Sequence, residues 1–145
     1  MPFEFIVHHE YKLVYRKVWG VYGVEDSIAV HEYWDELSGK GEIGNYDELI
    51  DLSEVTEYGI SIEQIRSLAN HYRILAEARQ KAGVFKPKKI AYVIPSPAAY
   101  GTGRVYGALI EEVGMNFQVF NVLHEACDWL CLTPDVVSKV LVSKR

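Results

Sequence analysis

The chain has little of what would classify it at sight: two cysteines, no surplus of positive charge, and no apolar run near the roughly 20 residues of a membrane helix. Cys127 and Cys131 stand four apart, and on a helix that spacing fits disulfide geometry poorly. They read as free buried thiols in a reducing, cytoplasmic setting. A formal charge of -5 offers no field to draw in nucleic acid or anionic lipid. The basic clusters at Lys86–Lys89 and in the tail ending at Arg145 read as solvated ends of elements. The opening "MPFEFIVHHEYK" lacks the basic start, apolar stretch and small-residue cleavage site of a secretory signal. These absences predict a soluble protein without integral membrane association.

Familiar catalytic and metal motifs are missing as well. Neither His-Glu-x-x-His nor Gly-x-Ser-x-Gly occurs. His8 and His9 are adjacent on a strand and point to opposite faces, while His31, His71 and His124 fall on separate helices without ligand partners at metal spacing. Asp47, Glu48 and Asp51 cluster on one strand and read equally as edge charges. No metal, cofactor or catalytic residue is expected. Gly101-Thr102-Gly103 begins a glycine pattern, but Tyr106 stands where a dinucleotide fingerprint needs its third glycine, and no lysine precedes Thr102 as a phosphate loop requires.

What is present is a regular alternation of periods. With 145 residues and 49% apolar content, the chain is sized for one domain, residues 1–145, around one substantial core. Phe3–His8 and Lys12–Gly20 read as an antiparallel hairpin. A helix follows from Val24, with Ile28, His31 or Tyr33, Trp34 and Leu37 at helical spacing on its inner face and Gly39 past its end. Tyr46–Val55 is the next strand. Ser61 and Gln64 then form a capping-box pattern ahead of Ile62, Ile65, Ala69, Tyr72 and Ala76 at helical steps. Lys88–Ile94 is a buried strand, Val105–Val113 a helix, Phe117–Val122 the last strand and Leu123–Leu132 a short helix. Thr133–Pro134 caps a final one.

The order β-β-α-β-α-β-α-β-α predicts an α/β sandwich with a mixed sheet of about five strands, parallel in its later part. Parallel strands gather their C-terminal loops along one edge, where ligands usually bind. That edge would collect the Ser53–Ser61 and Pro95–Arg104 segments, with Pro95 and Pro97 ending a strand and the glycines turning the chain.

Three segments carry a family resemblance: "DLSEV" (Asp51–Val55) before a helix, "IAYVIPSPAAYGTGRVYGALIEE" (Ile90–Glu112), and "FQVFNVLHEACDWL" (Phe117–Leu130). Together they resemble the SpoIIAA-like branch of the STAS superfamily, which is distantly similar to the CRAL-TRIO lipid-binding lobe. The likeness runs from the N-terminal hairpin to Leu130. It implies a STAS-like regulatory or ligand-binding domain, and through the CRAL-TRIO lobe a lipid or apolar ligand. In the parent group a phosphorylated serine starts the helix after the "DLS" strand, within Asp-Ser-Ser-Gly. This chain has Tyr58-Gly59-Ile60-Ser61 there, leaving Ser61 as the matching hydroxyl and the candidate for phosphorylation. As a helix cap Ser61 would equally need no other role.

The expected function is a non-catalytic regulatory or small-ligand and anion-binding domain. Ser53, Ser61, Ser96, Tyr100, Thr102 and Arg104 are its candidate ligand residues, with helix-start amides and the Arg104 guanidinium holding a carboxylate or phosphate. A structural pair between Arg104 and Glu54 or Glu57 is the competing reading. The alternatives are a lipid or apolar-ligand carrier and a homodimeric interaction module built on the N-terminal hairpin or an exposed helix. A small enzyme would require an acid–base pair on the strand-end edge.

Overall fold

A computed structural model describes residues 3–38 and 41–141. Its elements are β1 (Phe3–His8), β2 (Leu13–Gly23), α1 (Val24–Ser38), β3 (Asp47–Gly59), α2 (Ile62–Lys81), β4 (Lys89–Val93), α3 (Pro97–Glu111), β5 (Asn116–Phe120), α4 (Leu123–Trp129) and α5 (Pro134–Val140). A short 3-10 helix, Gly41–Asn45, leads into β3. The expected α/β architecture with a mixed five-stranded sheet is the one observed. The strands lie in the order β1-β2-β3-β4-β5, with β1 antiparallel to β2 and every later pair parallel.

Strands that sit beside their sequence neighbours force the crossovers onto one face, because parallel connections are right-handed. Val30 of α1, Ala69 of α2 and Tyr106 and Ile110 of α3 accordingly share a core with Val18, Ile50 and Phe117. The opposite face is closed by α4 and α5, where Ala126, Cys127 and Val140 meet Leu13, Tyr15 and Leu49. The central strands are thus buried on both faces, which is why they read as nearly unbroken apolar runs.

Local signals place the helix starts. Ser61 Oγ accepts from the Gln64 amide at 3.2 Å and Gln64 Oε1 from the Ser61 amide at 2.8 Å, completing the capping box of α2. Ser96 caps α3 with Pro97 in its first turn. Thr133 caps α5 in the same manner.

Several boundaries differ from the sequence reading. β2 continues to Gly23 and β3 to Gly59, four residues beyond Val55. α3 begins at Pro97, so Gly101 and Gly103 lie inside a helix instead of forming a turn. For Gly103, though not for Gly101, the reason is close packing. A Cβ on Gly103 would meet Ile94 Cδ1 at 2.6 Å, and one on Gly107 would overlap the Phe117 ring. α4 stops at Trp129, and Cys131 beyond it takes a left-handed φ of 62°. Cys127 is buried but Cys131 is exposed, which corrects the pair of buried thiols; both are free. Ile28 is also exposed, its place in the core of α1 taken by Val30 and Trp34. Gly39 and the tail beyond residue 141 lie outside the described residues.

Two buried cations sit on the face covered by α1, α2 and α3. Lys88 Nζ is 2.7 Å from Glu48 Oε2 and 4.6 Å from the centre of the Trp34 ring. Arg16, on the inward face of β2 between Val14 and Val18, is 5% exposed. Its guanidinium lies 5.5 Å from the Phe5 ring centre and 5.7 Å from that of Tyr92.

Candidate functional site

β3 outruns β4. The two pair only from Glu48 to Asp51, while β3 stays paired to β2 as far as Gly59. The β2–β3 ribbon carries two register irregularities, Lys17/Trp19 and Gly20/Val21, of the kind that bend a strand locally. Beneath this overhang, between it and the first turns of α2 and α3, lies a cavity of about 360 Å³. Its walls are mostly apolar, with Leu52, Val55, Ile60, Ile65, Leu68 and Ile94, and also carry Thr56, Glu57, Ser96 and Thr102. Its inner end, where it adjoins a smaller cavity, is bounded by His31, Tyr92 and Tyr106, and Tyr22 and Ser27 also line it.

Hydrogen bonding fixes what those groups offer. His31 Nδ1 lies 2.8 Å from the Ser27 carbonyl, which can only accept, so Nδ1 carries a proton. Burial, with the Arg16 charge acting in the same direction, lowers the His31 pKa and favours the neutral ring. Nε2 is then an acceptor, and the Tyr106 hydroxyl donates to it at 3.4 Å. Arg16 Nη2 donates to the Tyr92 hydroxyl oxygen at 2.7 Å, leaving the Tyr92 proton for another partner. Burial pushes Tyr92 up to about 12, against the opposing Arg16 charge, and burial raises Tyr106 well above its ordinary value. Both phenols therefore keep their protons at neutral pH.

His31, Tyr92 and Tyr106 also bound a second, smaller cavity of about 20 Å³, shared with Arg16, Glu48 and Tyr72. Its volume is on the scale of a single water molecule. Arg16 Nε faces no hydrogen-bond partner, and among the described residues no carboxylate forms an ion pair with this guanidinium.

The residues singled out in the sequence are divided among several places. The overhang and the start of α3 do meet, and Ser96 and Thr102 line the cavity. Tyr100 and Arg104 share a face of α3, as their spacing requires, but that face borders a different, polar groove of about 470 Å³ beside β5, together with Glu111 and Gln118. Ser53 is exposed, its amide bound to Asp51 Oδ1 at 2.9 Å. Ser61 is the α2 cap, exposed and engaged with Gln64. The six do not converge on one ligand. Glu54, offered as a partner for Arg104, instead pairs with Lys17 at 3.2 Å.

No family model, no curated protein and no solved structure matches the chain.

Arg16, His31, Tyr92 and Tyr106 were not singled out as ligand residues from sequence. For Arg16 a signal existed: in "KLVYRKVWG" it alternates with Val14 and Val18, which assigns a guanidinium to the face those valines bury. Tyr92 and Tyr106 carried none, since an aromatic in an apolar strand or stripe reads as core. Among the described residues no group of three or more His, Cys, Asp or Glu side chains converges as a metal site would require, and no helix is long and apolar enough to cross a membrane.

Proposed function

We propose that this chain is a non-catalytic small-ligand-binding module of STAS-like type, whose ligand occupies the cavity beneath the β2–β3 overhang. The observation that carries the reading is the cavity itself: about 360 Å³, walled mainly by apolar side chains with a few polar groups among them. Concave, mostly apolar sites with sparse polar anchors are the usual form of small-molecule pockets. The site also lies beyond the C-terminal ends of parallel strands, where open α/β sheets tend to bind. The walls favour a ligand with an apolar body.

Occupancy gives such a module a way to regulate. From Leu52 to Gly59, β3 has a strand on one side only, so this part of the sheet has less to hold it than the rest. A molecule touching the overhang, α2 and α3 together would tie these elements to one another, stabilising the bound form by mass action. Partner recognition through the ordered ribbon would then follow occupancy, with no need for a modified Ser61.

Titration with the neutral naphthalene dye prodan tests the reading. Saturable fluorescence enhancement is expected, with loss of binding in Ala98→Trp, because Ala98 is exposed at the cavity mouth and a tryptophan there would close it without disturbing the core. Absence of saturable binding to the unmodified protein, or full retention in a folded Ala98→Trp, would sink the proposal.

A further inference from the structure

We infer that the ligand carries a single carboxylate, received at the inner end of the cavity by the Tyr92 hydroxyl with the Arg16 guanidinium behind it. This rests on the small-ligand reading and adds the chemical class of the ligand.

The first support is charge. On this face Glu48 pairs with Lys88 at 2.7 Å and acts on Arg16 only from a distance, leaving that guanidinium without a direct ion-pair partner in a nearly solvent-free site. An arginine does not escape by losing its proton, so a buried guanidinium is stable only when something compensates it. The flanking Phe5 and Tyr92 rings supply part of that compensation. An anion drawn to the cavity would supply the rest.

The second support is direction. The Tyr92 oxygen already accepts from Arg16 at 2.7 Å, so its hydroxyl acts as a donor polarised by the cation. Tyr92 borders both the large cavity and the small one behind it, so an oxygen at its hydroxyl lies on the path from the open cavity to the guanidinium. Arg16 Nε, without a hydrogen-bond partner, faces that inner space. His31 is already committed: Nδ1 donates to Ser27, and Nε2 accepts from Tyr106.

The third support is stoichiometry. One cation without an ion-pair partner matches a monoanion with a planar acceptor pair. A dianionic phosphate would bring more charge than a single guanidinium can balance. Arg104, whose groove lies on the far side of α3, takes no part.

Naphthaleneacetate and its uncharged twin naphthaleneacetamide, used to displace prodan at pH 7, test the assignment. The carboxylate is expected to displace the dye from the unmodified protein at about one tenth of the amide's concentration, the scale of a charge-assisted hydrogen bond. Arg16→Met and Tyr92→Phe should each erase that preference, weakening the acid more than the amide. If Arg16→Met does not fold, Tyr92→Phe decides alone. Equal potency of acid and amide, displacement by neither, or a preference that survives Tyr92→Phe overturns the carboxylate assignment and leaves the pocket standing. Failure of prodan to bind at all overturns both.

Discussion

Adding one methyl group at two points of the same helix should move stability in opposite directions. Gly101 and Gly107 both lie within α3. Replacing an interior helical glycine by alanine stabilises by about 1 kcal/mol when nothing else changes, since the unfolded chain loses conformational freedom and the helix gains propensity. A Cβ at Gly101 would have nothing within 4 Å, so Gly101→Ala should realise most of that gain. At Gly107 the new carbon would overlap Cδ1 and Cε1 of Phe117 and lie 3.2 Å from its Cγ. Phe117 is held between the rings of Tyr92, 5.0 Å away, and Tyr106, 5.8 Å away, so it has no free direction in which to yield. Either α3 lifts from β5 or the aromatic cluster shifts, at a cost of about 1–3 kcal/mol for overpacking. Subtracting the helical gain leaves Gly107→Ala less stable than the unmodified protein by about 1 kcal/mol and less stable than Gly101→Ala by about 2 kcal/mol. Urea unfolding followed by far-ultraviolet circular dichroism measures this as separated midpoints at constant slope. Equal stability of the two variants would refute the argument that Gly107 exists to let the helix approach the sheet.

The buried pair and the buried histidine give further expectations. Glu48→Gln or Lys88→Met alone should lose about 3–5 kcal/mol in the same unfolding assay, whereas the double replacement Glu48→Leu with Lys88→Met should recover most of it, because the singles strand a charge and the double removes both. His31 has its folded pKa lowered by burial and then by the Arg16 charge, with Asp35 opposing and His71 adding to the lowering. The unfolded chain therefore binds a proton near pH 6.5 that the folded chain refuses. The His31 contribution is complete above that pH and is lost as pH falls from there towards the folded value, at up to about 1.4 kcal/mol per unit. Urea midpoints measured between neutral pH and pH 5 should fall more steeply for the unmodified protein than for His31→Gln, and parallel profiles would contradict the assignment.

Most of the scaffold was legible because its signals are local. The Ser61–Gln64 box, the Thr133–Pro134 start of α5 and the apolar runs of β2 and β4 each declare themselves within a few residues. The extension of β3 was not legible for a physical reason. From Ser53 to Gly59 the strand is largely exposed, so it lacks the apolar run that marks the buried half. The glycines of α3 misled in the opposite way. A glycine-rich segment after a proline signals a turn, and only the facing Ile94 and Phe117 reveal that Gly103 and Gly107 serve close packing. The site itself was half legible. Chain direction brought the overhang and the start of α3 together, but the charge came from Arg16, whose pairing over Ile50 towards Tyr92 depends on strand register and not on spacing in sequence.

The simple strand order has one more consequence. Every strand after the first is laid against an edge left open by its predecessor, so none has to be threaded between two partners already joined. The layer of α4 and α5 takes its position from β5, the last rung of the ladder, although it covers side chains of β2 and β3 near the ladder's beginning. The second face is thus a lid that the end of the chain draws back across its start.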